Sequence, residues 1–174
     1  MKPKRKRTSP WCKEGDWFAV PLRSGGYALC VIARITDKYG ALGYFFGPRY
    51  NSLPRTQDIV GKAKDSALVV RWFSTLGIKE GVWQKVGESR DWDRTHWPVP
   101  VFARIDVLSK DCAWAVYYDE YGDVVQEERI PVETAQLLPA DGLSGYGAAE
   151  ILITRAIEKL DKEAAGTKSS PEAT

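Results

Sequence analysis

The stretch that decides the fold is residues 14–46, EGDWFAVPLRSGGYALCVIARITDKYGALGYFF. Two apolar runs, residues 15–22 and 27–36, flank the turn sequence Ser24-Gly25-Gly26, a pattern that predicts a β-hairpin. A further turn at 37–40 leads into a third apolar run over 41–46. The stretch therefore predicts a three-stranded antiparallel meander, and it contains no set of side chains arranged for catalysis.

The second run of this meander is apolar at nearly every position. Because successive side chains of a strand point to opposite faces, its residues divide into two sets. One set is Tyr27, Leu29, Val31, Ala33 and Ile35, and the other is Ala28, Cys30 and Ile32. A strand that is apolar on both faces is expected to be covered on both faces.

The segment between residues 47 and 100 gives weaker signals. Residues 47–56 contain two prolines and are predicted to be a loop, and 58–64 a short helix weakened by a glycine. Strands are predicted over 67–73 and 82–86. Residues 87–100 are polar and Trp-rich, which predicts a long surface loop of the kind that often serves function.

The second half repeats the β pattern and ends with a helix. Strands are predicted over 101–108, 112–119 and 123–130, separated by short turns, and a helix over 144–161. The helix has one apolar stripe, formed by Ala149, Leu152, Ile153, Ala156, Ile157 and Leu160. The predicted fold class is mostly β (α+β): two antiparallel meanders form a curved sheet or an SH3-like small barrel, with one C-terminal helix packed on it.

The predicted domain organisation is simple. Residues 1–10 are a disordered basic arm, 11–162 a single globular domain, and 163–174 a disordered tail. No apolar run reaches the roughly 20 residues that a spanning helix needs, so no membrane association is expected. The basic N-terminus lacks the hydrophobic run of a secretory signal, so we expect a cytoplasmic protein with reduced Cys12, Cys30 and Cys112.

The titratable residues do not form a recognisable catalytic or metal motif. The chain has one histidine, His96, in a polar loop without a marked Ser or Cys partner. It has no Cys-x-x-Cys pair, and Asp91 with Asp93 provides too few ligands for a calcium loop. The sequence therefore predicts a protein that is not an enzyme and that needs no cofactor or metal.

Two groups of residues remain as candidate partner contacts. The first is acidic, within ten residues that hold no Lys or Arg: Asp119, Glu120, Asp123, Glu127 and Glu128. These charges are typical of an edge strand that avoids aggregation, and they also suit a patch that attracts a basic partner such as a nuclease cleft. Both interpretations are compatible with the sequence.

The second group is aromatic. Trp83, Trp92 and Trp97 lie close to Arg90 and Arg94, and Trp and Arg are the residues most enriched in interface hot spots. The same residues are suited to stacking on bases, or to filling the open end of a barrel. We predict partner binding by Arg90, Trp92 and Trp97 together with the five acids.

The opening meander resembles the immunity protein 26 family. The resemblance is carried by Gly15-Asp16-x-Phe18-Ala19-Val20-Pro21-Leu22, then Gly26-Tyr27, the strand to Ile35, Gly40, Gly43 and Tyr44-Phe45-Phe46. It is strongest over 14–46 and extends to about residue 160. It implies a non-enzymatic bacterial protein of a polymorphic toxin system, an antitoxin-like toxin inhibitor that binds and neutralises a cognate toxin domain by stoichiometric protein–protein interaction.

An alternative function follows from the N-terminus. Lys2, Lys4, Arg5, Lys6 and Arg7 precede the first acid, and such a run can bind phosphates through counterion release. The alternative is a nucleic-acid-binding small β-barrel with a basic arm. It is opposed by the remainder of the chain, which is mildly acidic because the net charge of the whole is only +2. The arm is also typical of a solubilising terminus.

Overall fold

A computed structural model describes residues 9–36, 40–109 and 111–167, which form three layers. The middle layer is a six-stranded sheet with the strand order β5-β1-β2-β3-β4-β9, and a three-stranded sheet, β6-β7-β8, lies on one side of it. The strands are β1 (Asp16–Pro21), β2 (Tyr27–Thr36), β3 (Gly40–Tyr50), β4 (Val69–Phe73), β5 (Gln84–Glu88), β6 (Phe102–Ile105), β7 (Ala113–Tyr118), β8 (Val124–Ile130) and β9 (Leu143–Ser144). The helices are α1 (Leu76–Lys79), α2 (Val132–Ala135) and the long α3 (Tyr146–Thr167), which covers the other side.

Burial of β2 on both faces is confirmed, and each face meets a different layer. Cys30 and Ile32 pack in a cluster that includes Ile153 and Ile157 of α3. Leu29 and its face-mates pack in a second cluster, which contains side chains of the three-stranded sheet. The middle sheet is therefore sandwiched between a helix and a second sheet, which explains why its central strand is apolar throughout.

Close approach within the middle sheet depends on a glycine of β3. A Cβ built on Gly43 would lie 2.7 Å from the sulfur of Cys30 and 2.8 Å from the ring of Phe73. Real Cβ atoms do not tolerate such distances, so any larger residue would force the buried side chains of Cys30, Phe45 and Phe73 to move. Because Gly43 has no side chain, the aromatic rings on the helix side of the sheet can pack directly against its backbone.

The mostly β fold with a C-terminal helix is confirmed, and the curved sheet is the correct one of the two predicted forms. The SH3-like barrel is wrong, because β5 and β9 lie at opposite ends of the six-stranded sheet and do not pair. The second meander forms its own sheet instead of completing the first. The apolar area that a barrel would enclose is covered here by packing between layers.

Several predicted boundaries differ from the structure. β3 continues to Tyr50, past Pro48, where a loop was predicted. The predicted helix at 58–64 is two 3₁₀ turns, Thr56–Ile59 and Lys64–Ser66, because Gly61 between them has a positive φ. α3 ends at Thr167, so the predicted tail begins inside a helix.

Parts of the domain prediction are not tested by the structure. The basic arm, except for residues 9 and 10, and residues 168–174 of the tail lie outside the described residues. The disordered arm and the single domain at 11–162 therefore stay predictions. No helix in the described part of the chain combines the length and the hydropathy needed to cross a membrane.

Packing of α3 gives a first prediction. Ile153 and Ile157 have no exposed surface, whereas Ile151 on the same helix is 41% exposed. We expect Ile153→Asp to lower the free energy of unfolding by about 4 kcal/mol, because it removes a buried side chain and introduces an unpaired charge. Urea unfolding measures this, with Ile151→Asp as the matched control, expected within about 0.5 kcal/mol of wild type. Equal effects of both substitutions would contradict the packing.

The three thiols should differ in reactivity. Cys30 is fully buried and Cys12 is 5% exposed, whereas Cys112 is half-buried. Burial raises the pKa of Cys12 to about 11 and raises that of Cys30 well above its ordinary value, so neither forms the reactive thiolate near neutral pH. We expect an aromatic disulfide reagent at pH 8 to label Cys112 first, and Cys112→Ser to remove the fast phase. Fast labelling that persists in this variant would contradict the burial of Cys12 and Cys30.

Candidate functional site

A buried arginine joins the two predicted contact regions. Arg34 lies in the apolar strand β2 and is only 1% exposed. The register of β2 against β3 shifts between Ile32 and Arg34, a β-bulge that reverses the alternation of faces. Ile35 consequently packs on the helix side, against the sequence expectation, and Arg34 points towards the three-stranded sheet.

The guanidinium of Arg34 binds three oxygen atoms from three different parts of the chain. Its Nε donates to Oε2 of Glu120 at 2.5 Å, Nη1 to the carbonyl of Ala33 at 2.6 Å, and Nη2 to the carbonyl of Arg94 at 3.4 Å. Glu120 is in the turn between β7 and β8, and Arg94 is in the Trp-rich loop. A buried charge needs such partners, so Arg34 ties both segments to β2.

Arg94 extends this network to the N-terminal segment. It begins the 3₁₀ turn Arg94–His96, where Asp93 accepts a hydrogen bond from the Thr95 amide at 2.8 Å. Its guanidinium donates to both carboxylate oxygens of Glu14 at 2.7 Å, which raises the pKa of Arg94, and its Nη1 lies 3.7 Å from Glu120. Glu120 therefore faces two arginines.

The acids at the hairpin tip have different roles. Asp119 Oδ1 accepts hydrogen bonds from the amides of Tyr121 (2.8 Å) and Asp123 (3.0 Å), so it shapes the turn. Glu120 pairs with Arg34. Asp123 is half-buried, and its carboxylate makes no ion pair with any residue that the structure describes. All three acids lie at this one turn, each in a different environment.

The two acids of β8 lie on opposite faces of the strand because they are consecutive. Glu127 accepts a hydrogen bond from Arg104 of β6 at 2.7 Å. Glu128 accepts one from the hydroxyl of Tyr117, which raises the pKa of that hydroxyl. Both glutamates are exposed. Glu127 thus has a cationic partner within its own sheet, whereas Glu128 is bonded to a neutral hydroxyl.

The Trp-rich loop is anchored by aromatic packing. Trp97 is 8% exposed, and its ring lies 5.3 Å from that of Tyr44 and 6.0 Å from those of Trp17 and Phe46. The ring of Trp92 stacks on it at 6.0 Å with an interplanar angle of 13°. Trp97 is therefore a core residue.

Trp92 and Arg90 are more accessible. Trp92 is half-buried against Gly15, which has φ +87° and whose built Cβ would lie 3.1 Å from the indole. Glycine at this position lets the ring close on the backbone. Arg90 is exposed beside it. Trp83 lies elsewhere, on the helix side of the middle sheet, where its Nε1 donates to Glu150 at 2.9 Å.

A groove of about 830 Å³ separates the Trp-rich loop from the 3₁₀ segment at 56–66. Trp17 and Trp97 form its base. Its charged lining is balanced between cations and acids, namely Lys62, Lys64, Arg90, Asp65, Glu88 and Asp91. Glu88 pairs with Lys13 and Lys85, and Lys62 donates to the carbonyl of Gly47 at 2.5 Å, so part of this charge is used internally.

In the part of the chain that the structure describes, no three His, Cys, Asp or Glu residues are grouped so as to hold a metal ion. His96 is exposed at the groove, in the 3₁₀ turn. What the arrangement does offer is a surface made of two linked segments. An acidic hairpin and an aromatic, Arg-bearing loop lie side by side, joined through Arg34.

Comparison with known proteins shows which family the chain belongs to. The model of the family described as immunity protein 26 matches residues 13–114, more than half of the chain. The chain belongs to the immunity protein 26 family. Immunity protein families are generally non-enzymatic, and membership suggests toxin neutralisation. No curated protein and no solved structure matches the chain significantly.

The matched range ends inside β7. It includes the middle sheet up to β5, the Trp-rich loop and Arg34. It does not include the acidic hairpin, β8 or α3. The buried arginine therefore lies within the family match, whereas its carboxylate partner Glu120 lies outside it.

Sequence reasoning missed Arg34 and Glu14. The signal for Arg34 was present, since an arginine inside an otherwise apolar, doubly covered strand must find a partner. The sequence did not indicate which residue that partner is, because Glu120 is far along the chain and because a β-bulge decides on which face of β2 Arg34 lies. Glu14 pairs with Arg94 through the 3₁₀ turn, which no local pattern indicated.

Removal of the carboxylate at position 120 tests this network. Glu120→Ala leaves a buried guanidinium with only carbonyl partners, and hydrogen bonds to charged groups contribute roughly 1.5–3 kcal/mol. We expect a loss of about 2 kcal/mol in the free energy of unfolding. Asp123→Ala, in the same turn, is the matched control and should change it by less than about 0.5 kcal/mol. An unchanged free energy of unfolding in Glu120→Ala would show that the ion pair does not stabilise the hairpin.

Proposed function

We propose that this chain is a cytoplasmic bacterial immunity protein of a polymorphic toxin system, and that it neutralises a cognate toxin domain by stoichiometric binding. The observation that carries the proposal is the family match over residues 13–114. The surface supports it, because the charged and aromatic groups form a recognition face and not a recognisable reaction centre. The toxin is the expected protein partner.

The proposed contact surface combines the acidic hairpin with the Trp-rich loop. The bridge from Glu120 to Arg34 and Arg94 holds these two segments side by side. A stable inhibitor interface buries on the order of 1,600 Å² in total, which is more than one hairpin tip offers but within reach of both segments together. Arg90 and the accessible part of Trp92 supply the residue types enriched in hot spots.

The charge of the hairpin indicates what kind of partner surface it would attract. Asp123 and Glu128 are not neutralised by described cations, and they lie at the tip and on the strand that follows. Such acids speed association with a basic surface by electrostatic steering. A toxin with a basic cleft, as nucleic-acid-cleaving domains have, is the partner that this surface fits best.

Co-expression tests the function directly. The toxin domain encoded beside this gene is expressed in a sensitive bacterium with and without the chain. Survival is expected only with the chain, and the purified proteins should form a complex of fixed stoichiometry. Equal killing in both cultures would reject the proposal.

Charge reversal tests the surface. We expect Asp123→Lys with Glu128→Lys to slow association with the toxin domain by about tenfold at low salt, and by less at high salt, because steering is screened. The control is Glu158→Lys with Glu163→Lys on α3, which makes the same charge change on the opposite layer. Glu120 is left unchanged because its loss affects the fold. Equal association rates for both double variants would exclude the hairpin as the contact.

Substitutions in the Trp-rich loop should change the dissociation rate constant. Trp92→Ala and Arg90→Ala remove short-range contacts, so we expect faster dissociation with little change in association. Trp97→Ala is unsuitable for this purpose because it opens a cavity in the core. Surface plasmon resonance separates the two rates. Unchanged dissociation in both variants would place the loop outside the interface.

A further inference from the structure

The outer edge of β8 is open. β8 pairs only with β7, so half of its backbone amides and carbonyls face away from the sheet. Among the described residues, none forms a hydrogen bond to that outer edge. The strand is seven residues long, and its first six residues are exposed.

The other sheet edges are all shorter than β8, and two of them are contacted by neighbouring chain. The edge of β6 is capped by the chain at 139–141, where the Ala103 amide donates to the Pro139 carbonyl at 2.8 Å and the Asp141 amide donates to the Ala103 carbonyl at 2.7 Å. The edge of β5 is approached by the Thr56 hydroxyl, which donates to the Val86 carbonyl at 3.3 Å. β9 has only two residues. In the described part of the chain, β8 is the long edge that stays free.

We propose that β8 is the strand to which the toxin domain adds a β-strand of its own, with basic residues in the middle of that added strand. This inference rests on the proposed function and specifies its geometry. Main-chain hydrogen bonds along an exposed edge supply affinity, and the alternating side chains supply selectivity.

The charges of β8 indicate which residues an added strand should carry. Its centre carries Glu127 and Glu128, one on each face, and Asp123 precedes its first residue. The only cation of the strand, Arg129, has its Nη2 3.1 Å from the sulfur of Cys112 in the neighbouring strand. Glu127 is already paired with Arg104. A Lys or Arg opposite Glu128 would therefore form the more favourable cross-strand pair, whereas an acid at that position would be repelled.

The two ends of β8 complete the recognition pattern. Val124 and Val125 are 43% and 64% exposed at the end nearest the acidic tip. Apolar residues of an added strand would bury them. A second copy of this chain is a poorer occupant, since an antiparallel pair of β8 strands centred on Glu127 would place that glutamate opposite itself.

The same acids also suit an edge that merely avoids aggregation. The two roles differ in one observable, which is the fate of the outward amides when the partner binds. Side-chain contacts alone leave these amides in water, whereas an added strand removes them from exchange. The register pairs Val116 with Glu127 and Ala115 with Glu128, so the amides of Glu127 and Glu128 point in opposite directions.

Hydrogen exchange provides the first test. The purified chain is compared alone and bound to a catalytically inactivated toxin domain, the one encoded beside its gene. We expect outward amides of β8 to exchange at least about tenfold more slowly in the complex, and the amides of Val107 and Leu108, on an exposed turn, to be unchanged. Outward amides that exchange at the free rate in a saturated complex would overturn the inference.

Proline substitution provides the second test. Of Glu127→Pro and Glu128→Pro, one removes an outward amide and the other an amide bonded to β7, and only the first should melt close to wild type. This folded variant is expected to bind the toxin domain at least about 100-fold more weakly, while Gln at the same position stays within about tenfold. Wild-type affinity of the folded proline variant would overturn the inference; should neither variant fold, the exchange measurement decides.

Two further outcomes separate the inference from the proposed function. Sedimentation of the free chain as a dimer with protected outward amides would assign the edge to a second copy and overturn the inference. If the chain protects cells and binds the toxin domain but the outward amides of β8 still exchange freely, strand addition at β8 is overturned and the proposed function stands. A chain that neither protects nor binds rejects the proposed function itself.

Discussion

The ion pair between Arg34 and Glu120 is the contact on which the arrangement of this surface depends. A guanidinium in a strand covered on both faces must be paired, because an isolated buried charge costs several kcal/mol of desolvation that no other contact offsets. The pair reaches from the middle sheet to the turn of the outer sheet, and the same carboxylate lies near Arg94. It therefore links the middle sheet to the turn of the outer sheet, at the side where the proposed contact residues lie.

The rest of the fold makes this pairing possible. β2 is covered by α3 on one side and by the second sheet on the other, and the bulge between Ile32 and Arg34 decides which side receives the charge. Without that bulge Arg34 would share the face of Ile32, against the apolar helix. A single extra residue in one strand thus determines which layer Arg34 faces.

Local patterns predicted much of the fold, and long-range contacts account for what they missed. The strands around residues 14–46 and 101–130, and the stripe of α3, follow from alternation and helical spacing. The barrel was wrong because closure depends on which distant edges pair. Trp97 and Trp92 look alike in sequence, yet one is core and the other half-exposed, since only the fold supplies Tyr44 and Phe46 as neighbours. The five acids also look equivalent, and their separate partners are visible only in three dimensions.

The hairpin turn also limits how this surface can change over evolutionary time. Asp119, Glu120 and Glu127 have backbone or cationic partners within the chain, so substitutions there disturb local structure before they alter recognition. Asp123, Val125 and Glu128 are less constrained. Within the hairpin and β8, substitutions at these three positions therefore change the surface at the least cost in stability, and all three lie outside the matched residues 13–114.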